Sequence, residues 1–191
     1  MTAEFEPDMI LLAHGLPGIT GVETTRRLCE WTQTPIILLN GKDQKRHTVL
    51  ALDTGADDYV EKPFVMAELP ARIRAVLRRA RRVSPLPASE APLNFRNLTM
   101  DLLNRRVLLN GQPLHLTSTE YDLLRVLTTH AGRVLTHREL LTRVWGPESS
   151  RDTQYVHVFI SQLRRKLALH ADAPRRIPTE PGVGYCFSAE A

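Results

Sequence analysis

Two short apolar runs constrain this chain most: Met9-Ile10-Leu11-Leu12-Ala13 and Pro35-Ile36-Ile37-Leu38-Leu39-Asn40. Neither alternates with polar residues, so each reads as a strand buried on both faces. A Gly- and Pro-rich turn follows the first run, and helical spacing at Val22, Leu28 and Cys29 follows the turn. Residues 45–56 read as a second helix closed by Gly55. A third short strand is expected over 58–62. A helix is expected over 66–80, with Leu69, Ile73, Val76 and Leu77 on one stripe and Pro70 interrupting the pattern. Strands alternating with helices imply a parallel sheet with helices on both faces.

The pattern changes after residue 82. Residues 83–92, VSPLPASEAP, hold three prolines and two serines and read as a linker. The expected organisation is therefore 1–82, a linker over 83–92, and a second domain over 93–191. That domain starts with short antiparallel strands over 93–101 and 105–116, the second containing the hairpin signal Asn110-Gly111. Thr117-Ser118-Thr119-Glu120 and Thr136-His137-Arg138-Glu139 are capping boxes, each opening a helix. A third helix is expected over 151–168, and a hairpin over 175–188 turning at Pro181-Gly182.

Composition narrows the function. The net charge of +4 is compatible with a nucleic-acid partner. The two cysteines, Cys29 and Cys186, lie too far apart for a CxxC pair, which argues against a disulfide framework or a zinc site. No apolar run approaches the roughly 18 residues of a membrane span. Glu4, Glu6 and Asp8 stand where a signal peptide has a basic start and an apolar segment, so a cytoplasmic protein is expected. No nucleophile–base pair or metal cluster occurs at a recognisable spacing, so no enzyme is expected.

The third helix carries the chemistry. Val156, Ile160, Leu163 and Leu167 recur at four- and three-residue steps and form a buried stripe. Gln154, Val158, Ser161 and Arg165 lie opposite, with Tyr155 and Gln162 beside them. Gln and Arg suit base edges in the major groove; Arg and Lys suit phosphates. Taken alone, the helix reads equally as an amphipathic element with a solvated face. The preceding capped helix and the following Gly-rich hairpin complete a helix-turn-helix with a wing.

Both modules resemble OmpR/PhoB-type two-component response regulators. ALDTGA, DDYVEKPF and ELPARIRAVLRR resemble their receiver domain. LTSTEYDLLRVLTTHAGRVLTHRELLTRVWG and TEPGVGY resemble their winged-helix effector domain, and VWGP, TQYVHVFISQLRRKL and TEPGVGY look most like the Kdp-type members. The resemblance implies an α/β fold for 1–82, a CheY-like doubly wound parallel sheet lacking its first two strands, followed by an α+β winged helix-turn-helix domain. It implies that the family's phosphoacceptor aspartate is replaced by Ala13, and its hydroxyl residue by Asn40. Tyr59 stands at the aromatic switch position, and Lys62 and Pro63 match the family's cis Lys-Pro pair. The acidic Mg²⁺ ligands are absent with the missing first strand, so no cofactor is expected.

Loss of two strands would leave 9–13 as a sheet edge. Residues 1–82 are therefore expected to be loosely folded alone or stabilised by self-association. The family dimerises through its fourth helix, fifth strand and fifth helix, and Asp53, Asp58, Arg72 and Arg74 match charged positions of that face. The resemblance implies double-stranded DNA, a homodimer, RNA polymerase and a sensor histidine kinase as partners, although Ala13 removes the kinase's target. For base edges the candidates are Gln154, Tyr155, Val158, Ser161, Gln162 and Arg165. For phosphates they are Arg138, Trp145, Arg164, Lys166 and Thr179. Two alternatives stay open: an interaction module that pairs with an intact response regulator, and a phosphoacceptor completed by an upstream start.

Overall fold

The strand Ile36–Asn40 (β4) organises the N-terminal half. It lies between Ile10–Ala13 (β1) and Asp58–Glu61 (β5), parallel to both, in the order β1-β4-β5. This is the computed structural model of the chain, and it describes residues 7–13, 15–16, 18–41, 50–80, 91–146, 153–168 and 176–189. The chain divides into two compact units, Met1–Arg81 and Arg82–Ala191. The expected linker lies largely outside the described residues.

Side chains of β4 alternate between two cores, as the pleat requires. Leu38 packs with Ala51, Ala56 and Tyr59 on one face, joined by Leu12 and Val22. Ile37 packs with Val60 and Val76 on the other, joined by Leu69 and Ile73. Val22 belongs to the helix Gly21–Cys29 (α1), and Leu69, Ile73 and Val76 to the helix Glu68–Ala80 (α2). Both faces are thus covered by helices. Leu11 shares a register with Ile37 on the α2 side, yet is 45% exposed, so cover on that face is thinner over β1.

Boundaries shift for physical reasons. Between β1 and α1, Gly15–Leu16 (β2) and Ile19–Thr20 (β3) pair as a minimal antiparallel hairpin. The Thr20 hydroxyl then caps α1 by accepting from Glu23 N at 3.2 Å. α2 starts at Glu68, so Pro70 falls in its first turn. There a missing N–H costs no helical hydrogen bond, and Pro70 does not break the helix. Residues 50–53 are helical; the rest of the helix expected from residue 45 reaches back outside the described residues.

The C-terminal unit opens with an antiparallel sheet of Leu93–Phe95 (β6), Leu98–Asp101 (β7), Arg106–Leu109 (β8) and Gln112–Pro113 (β9). The segment 93–101 folds as two strands because the chain reverses at Arg96, whose φ is +44°. Asn110 and Gly111 both have positive φ, as a type I′ hairpin turn needs. Three helices follow: Ser118–Thr129 (α3), His137–Trp145 (α4) and Gln154–Leu167 (α5). They pack around Leu123, Leu124, Leu127, Leu140 and Phe159, all fully buried. Leu135–Thr136 (β10) pairs with Gly184–Tyr185 (β12), which pairs with Thr179–Glu180 (β11) to form the wing.

Both expected capping boxes close. Thr117 and Glu120 exchange their reciprocal bonds at the start of α3, and Thr136 and Glu139 do so at α4. The Glu139 carboxylate accepts from Thr136 N at 3.0 Å and from the Thr136 hydroxyl at 3.1 Å. These bonds, the backbone N–H foremost, hold its acidity below the ordinary carboxylate range. A lowered folded-state value means stability that is present above the unfolded value and lost as pH falls through the folded one. Glu139→Gln is therefore expected to lower the urea midpoint at neutral pH, with the difference from wild type closing below about pH 4. An undiminished difference at about pH 3 would refute this.

Candidate nucleic-acid interface

α5 is placed by its buried side. Val156, Ile160, Leu163 and Leu167 are buried as the periodicity predicts, but Val158, Phe159 and Gln162 are buried with them. The inward arc is thus wider than a single stripe. Two assignments are corrected by this. Val158 is 8% exposed and turned into the core, and Gln162 is 1% exposed. Neither side chain stands on the open face, so neither is a base reader in this structure.

The open face of α5 is made of Gln154, His157, Ser161 and Arg165, all exposed, at steps of three, four and four. Tyr155 is half-buried at its edge, with its ring 6.3 Å from Trp145. His157 is the functional candidate that sequence reasoning missed. The signal was available: with 156, 160, 163 and 167 inside, the line 154-157-161-165 runs down the opposite side at helical spacing.

The cations divide sharply. Arg165 is exposed, and so are Arg138 and Arg143 on α4. Arg164 is not an open phosphate ligand. Its guanidinium donates to the Ile177 carbonyl at 2.9 and 2.5 Å and to the Thr179 hydroxyl at 2.7 Å, and lies 5.3 Å from the Tyr185 ring centre. Arg164 and Thr179 therefore hold each other, and together they tie the wing to α5. Lys166 donates to the Glu120 carboxylate at 2.6 Å and to the His115 carbonyl at 3.1 Å. This joins α5 to the cap of α3 and takes the ammonium away from a phosphate role. Trp145 is 3% exposed, its ring 5.5 Å from Phe159, which corrects its placement as a surface contact.

The wing turn follows from Pro181 and Gly182. Val183 N donates to the Glu180 carbonyl at 3.0 Å, and Gly182 has φ +73°. Pro second and a positive-φ Gly third is the signature of a type II turn. Gly184 is required by close approach: a Cβ there would lie 1.9 Å from the Leu135 carbonyl oxygen. Arg176 points inward and is buried, its guanidinium donating to Phe95 O and to the Asn97 side chain. Burial pushes its pKa down from the ordinary arginine value.

In the N-terminal unit, Ala13 ends β1 in register with Leu39. Asn40 ends β4 and is buried; its side-chain amide donates to the Tyr59 hydroxyl at 3.2 Å and accepts from Gly41 N at 2.9 Å. The Lys62-Pro63 peptide is cis, and Lys62 is exposed. Asp57 is buried and accepts from Ile36 N at 2.9 Å, a structural use of the carboxylate. Asp58 is fully buried and accepts from Tyr59 N at 2.7 Å and from its own chain's Arg72 at 3.4 Å. Asp58 is thus not an open charge on a dimer face, whereas Asp53 and Arg74 are exposed. Mg²⁺ needs several oxygen donors in near-octahedral array. Among the described residues no three His, Cys, Asp or Glu side chains are grouped to hold a metal. No helix among them is long and apolar enough to cross a membrane.

Known proteins share both halves. Residues 1–74 match the response regulator receiver domain, and residues 111–187 match the C-terminal domain of transcriptional regulatory proteins. The KDP operon transcriptional regulatory protein KdpE of Escherichia coli is 41% identical over 182 residues, which cover 95% of this chain and 80% of the relative. KdpE of Mycobacterium tuberculosis is 39% identical over 187 residues, covering 98% and 82%. A solved structure of a RitR mutant superimposes with a TM-score of 0.79 at 29% identity, covering all of this chain and 82% of that one.

The inward side chains make a separable prediction. Lys166→Met is expected to lower stability by about 1–3 kcal/mol, because it leaves the buried Glu120 carboxylate without its ammonium. The salt slope of DNA binding is expected to stay unchanged. Gln162→Ala is likewise expected to lower the thermal midpoint and leave base preference intact. A shallower slope for Lys166→Met, at preserved stability, would return that residue to the interface.

Proposed function

Because the chain belongs to the OmpR/PhoB-type family of two-component response regulators, we propose that it is a sequence-specific regulator whose binding to double-stranded DNA does not depend on phosphorylation. Ala13 carries this reading. Acyl-phosphate formation needs a carboxylate nucleophile, and a methyl group has no lone pair to offer. Ala13 stands at the C-terminal end of a parallel strand, where such a group would belong. The neighbouring position offers the Asn40 amide, already bonded to Tyr59, in place of a free hydroxyl.

The output side keeps its chemistry. Gln154, Ser161 and Arg165 are the proposed base readers and Arg138 a proposed phosphate contact, with Tyr155 at the margin. Two copies on half-sites about one helical turn apart form the proposed complex. The exposed Asp53 and Arg74 belong to the proposed homodimer face, and Arg72 orders it from within through Asp58 and Glu68.

Two measurements test this. Incubation with acetyl phosphate and Mg²⁺ is expected to leave the intact mass unchanged and the affinity for a duplex selected from a promoter library unchanged. A phosphoryl adduct accompanied by tighter binding would refute the reading. Arg165→Ala is expected to cost about 1–3 kcal/mol on the selected duplex and to relax preference at one base position. A uniform loss across all single-base variants would make it a phosphate contact instead.

A further inference from the structure

His157 is exposed on the open face of α5, but its ring is held from behind. Its Nδ1 lies 2.6 Å from the hydroxyl of Tyr185, the second residue of β12. Tyr185 is buried, and burial pushes its phenol up from the ordinary tyrosine range, so at neutral pH it retains a proton to donate. Donation of Oη–H to Nδ1 leaves the imidazole proton on Nε2. The His137 ring stands edge-on to both partners, 4.9 Å from His157 and 5.5 Å from Tyr185 between centres. Arg164 lies over the Tyr185 ring and is itself bonded to the wing. The ring of His157 is thus boxed by α4, the wing and its own helix.

We propose that Tyr185 is a positioning residue whose hydroxyl donates to Nδ1 of His157 and fixes the ring so that its Nε2–H faces the DNA as a hydrogen-bond donor. This rests on the reading of α5 as the DNA-facing helix. The hydrogen bond to Tyr185 persists in both charge states. In the neutral ring Tyr185 donates to Nδ1; in the imidazolium Nδ1–H donates to the Tyr185 oxygen. Nε2–H is a donor throughout, and protonation adds only charge. The ring neighbours of His157 are thus His137 on α4 and Tyr185 on β12, and the Tyr185 ring in turn lies under Arg164.

The test measures the fluorescence anisotropy of the full chain on a labelled duplex selected from a promoter library, and on a scrambled duplex. Tyr185→Phe keeps the buried ring but removes the hydroxyl, and is expected to weaken binding to the selected duplex about two- to fivefold. His157→Ala is expected to weaken it at least as much, and the double variant no more than His157→Ala alone, because Tyr185 acts through His157. Additive losses in the double variant, or unchanged affinity of His157→Ala, overturn the inference. If wild type then still prefers the selected duplex and Arg165→Ala loses that preference, the DNA-binding reading stands and only the role of His157 falls. If wild type does not distinguish the two duplexes, both fall.

Discussion

The guanidinium of Arg164 is the joint on which the C-terminal unit turns. It leaves α5 and donates to the Ile177 carbonyl and the Thr179 hydroxyl, while its plane covers the Tyr185 ring. A planar fork of fixed donors does this better than a flexible ammonium would. The consequence is geometric. The wing hairpin is short, two residues on each strand, and such a hairpin is marginal alone. Tied to α5 by Arg164 and seated against β10 by Gly184, it takes a defined position beside the helix. Tyr185, His157 and the open face of α5 inherit their arrangement from that tie.

Charge accounting then separates structure from recognition. The chain carries a net +4, yet many of its cations in the C-terminal unit are used internally. Lys166 neutralises Glu120, Arg105 pairs with Asp122 at 3.0 Å, Arg133 meets Glu139 at 2.9 Å, and Arg176 is buried against the β6–β7 turn. Arg138 and Arg143 on α4 and Arg165 on α5 are exposed.

The N-terminal unit shows the complementary case, a scaffold held by apolar side chains. β4 is buried on both faces and supports helices on each side, so the framework rests on Ile36, Ile37 and Leu38 and not on the polar residues at its end. There the Asn40 amide donates to the Tyr59 hydroxyl and accepts from Gly41 N, so both of its polar ends have a partner within the unit.

Much of this was legible in the sequence because it is local. The two capping boxes, the Asn110-Gly111 turn, the Pro181-Gly182 turn and the apolar run of β4 all depend on residues within a few positions of one another, and backbone geometry there leaves few choices. Tertiary structure alone decided which polar side chains face outward. Gln162 and Arg165 look interchangeable as polar residues of one helix, but Gln162 is buried with the core of α5 and Arg165 is exposed. Lys166 looks like a phosphate ligand until Glu120, 46 positions earlier, is found 2.6 Å away. His157 looks like a spacer until Tyr185 closes on it from 28 positions later. Helical periodicity specifies the direction of a side chain; whether water, a carboxylate or an aromatic ring meets it depends on contacts distant in sequence.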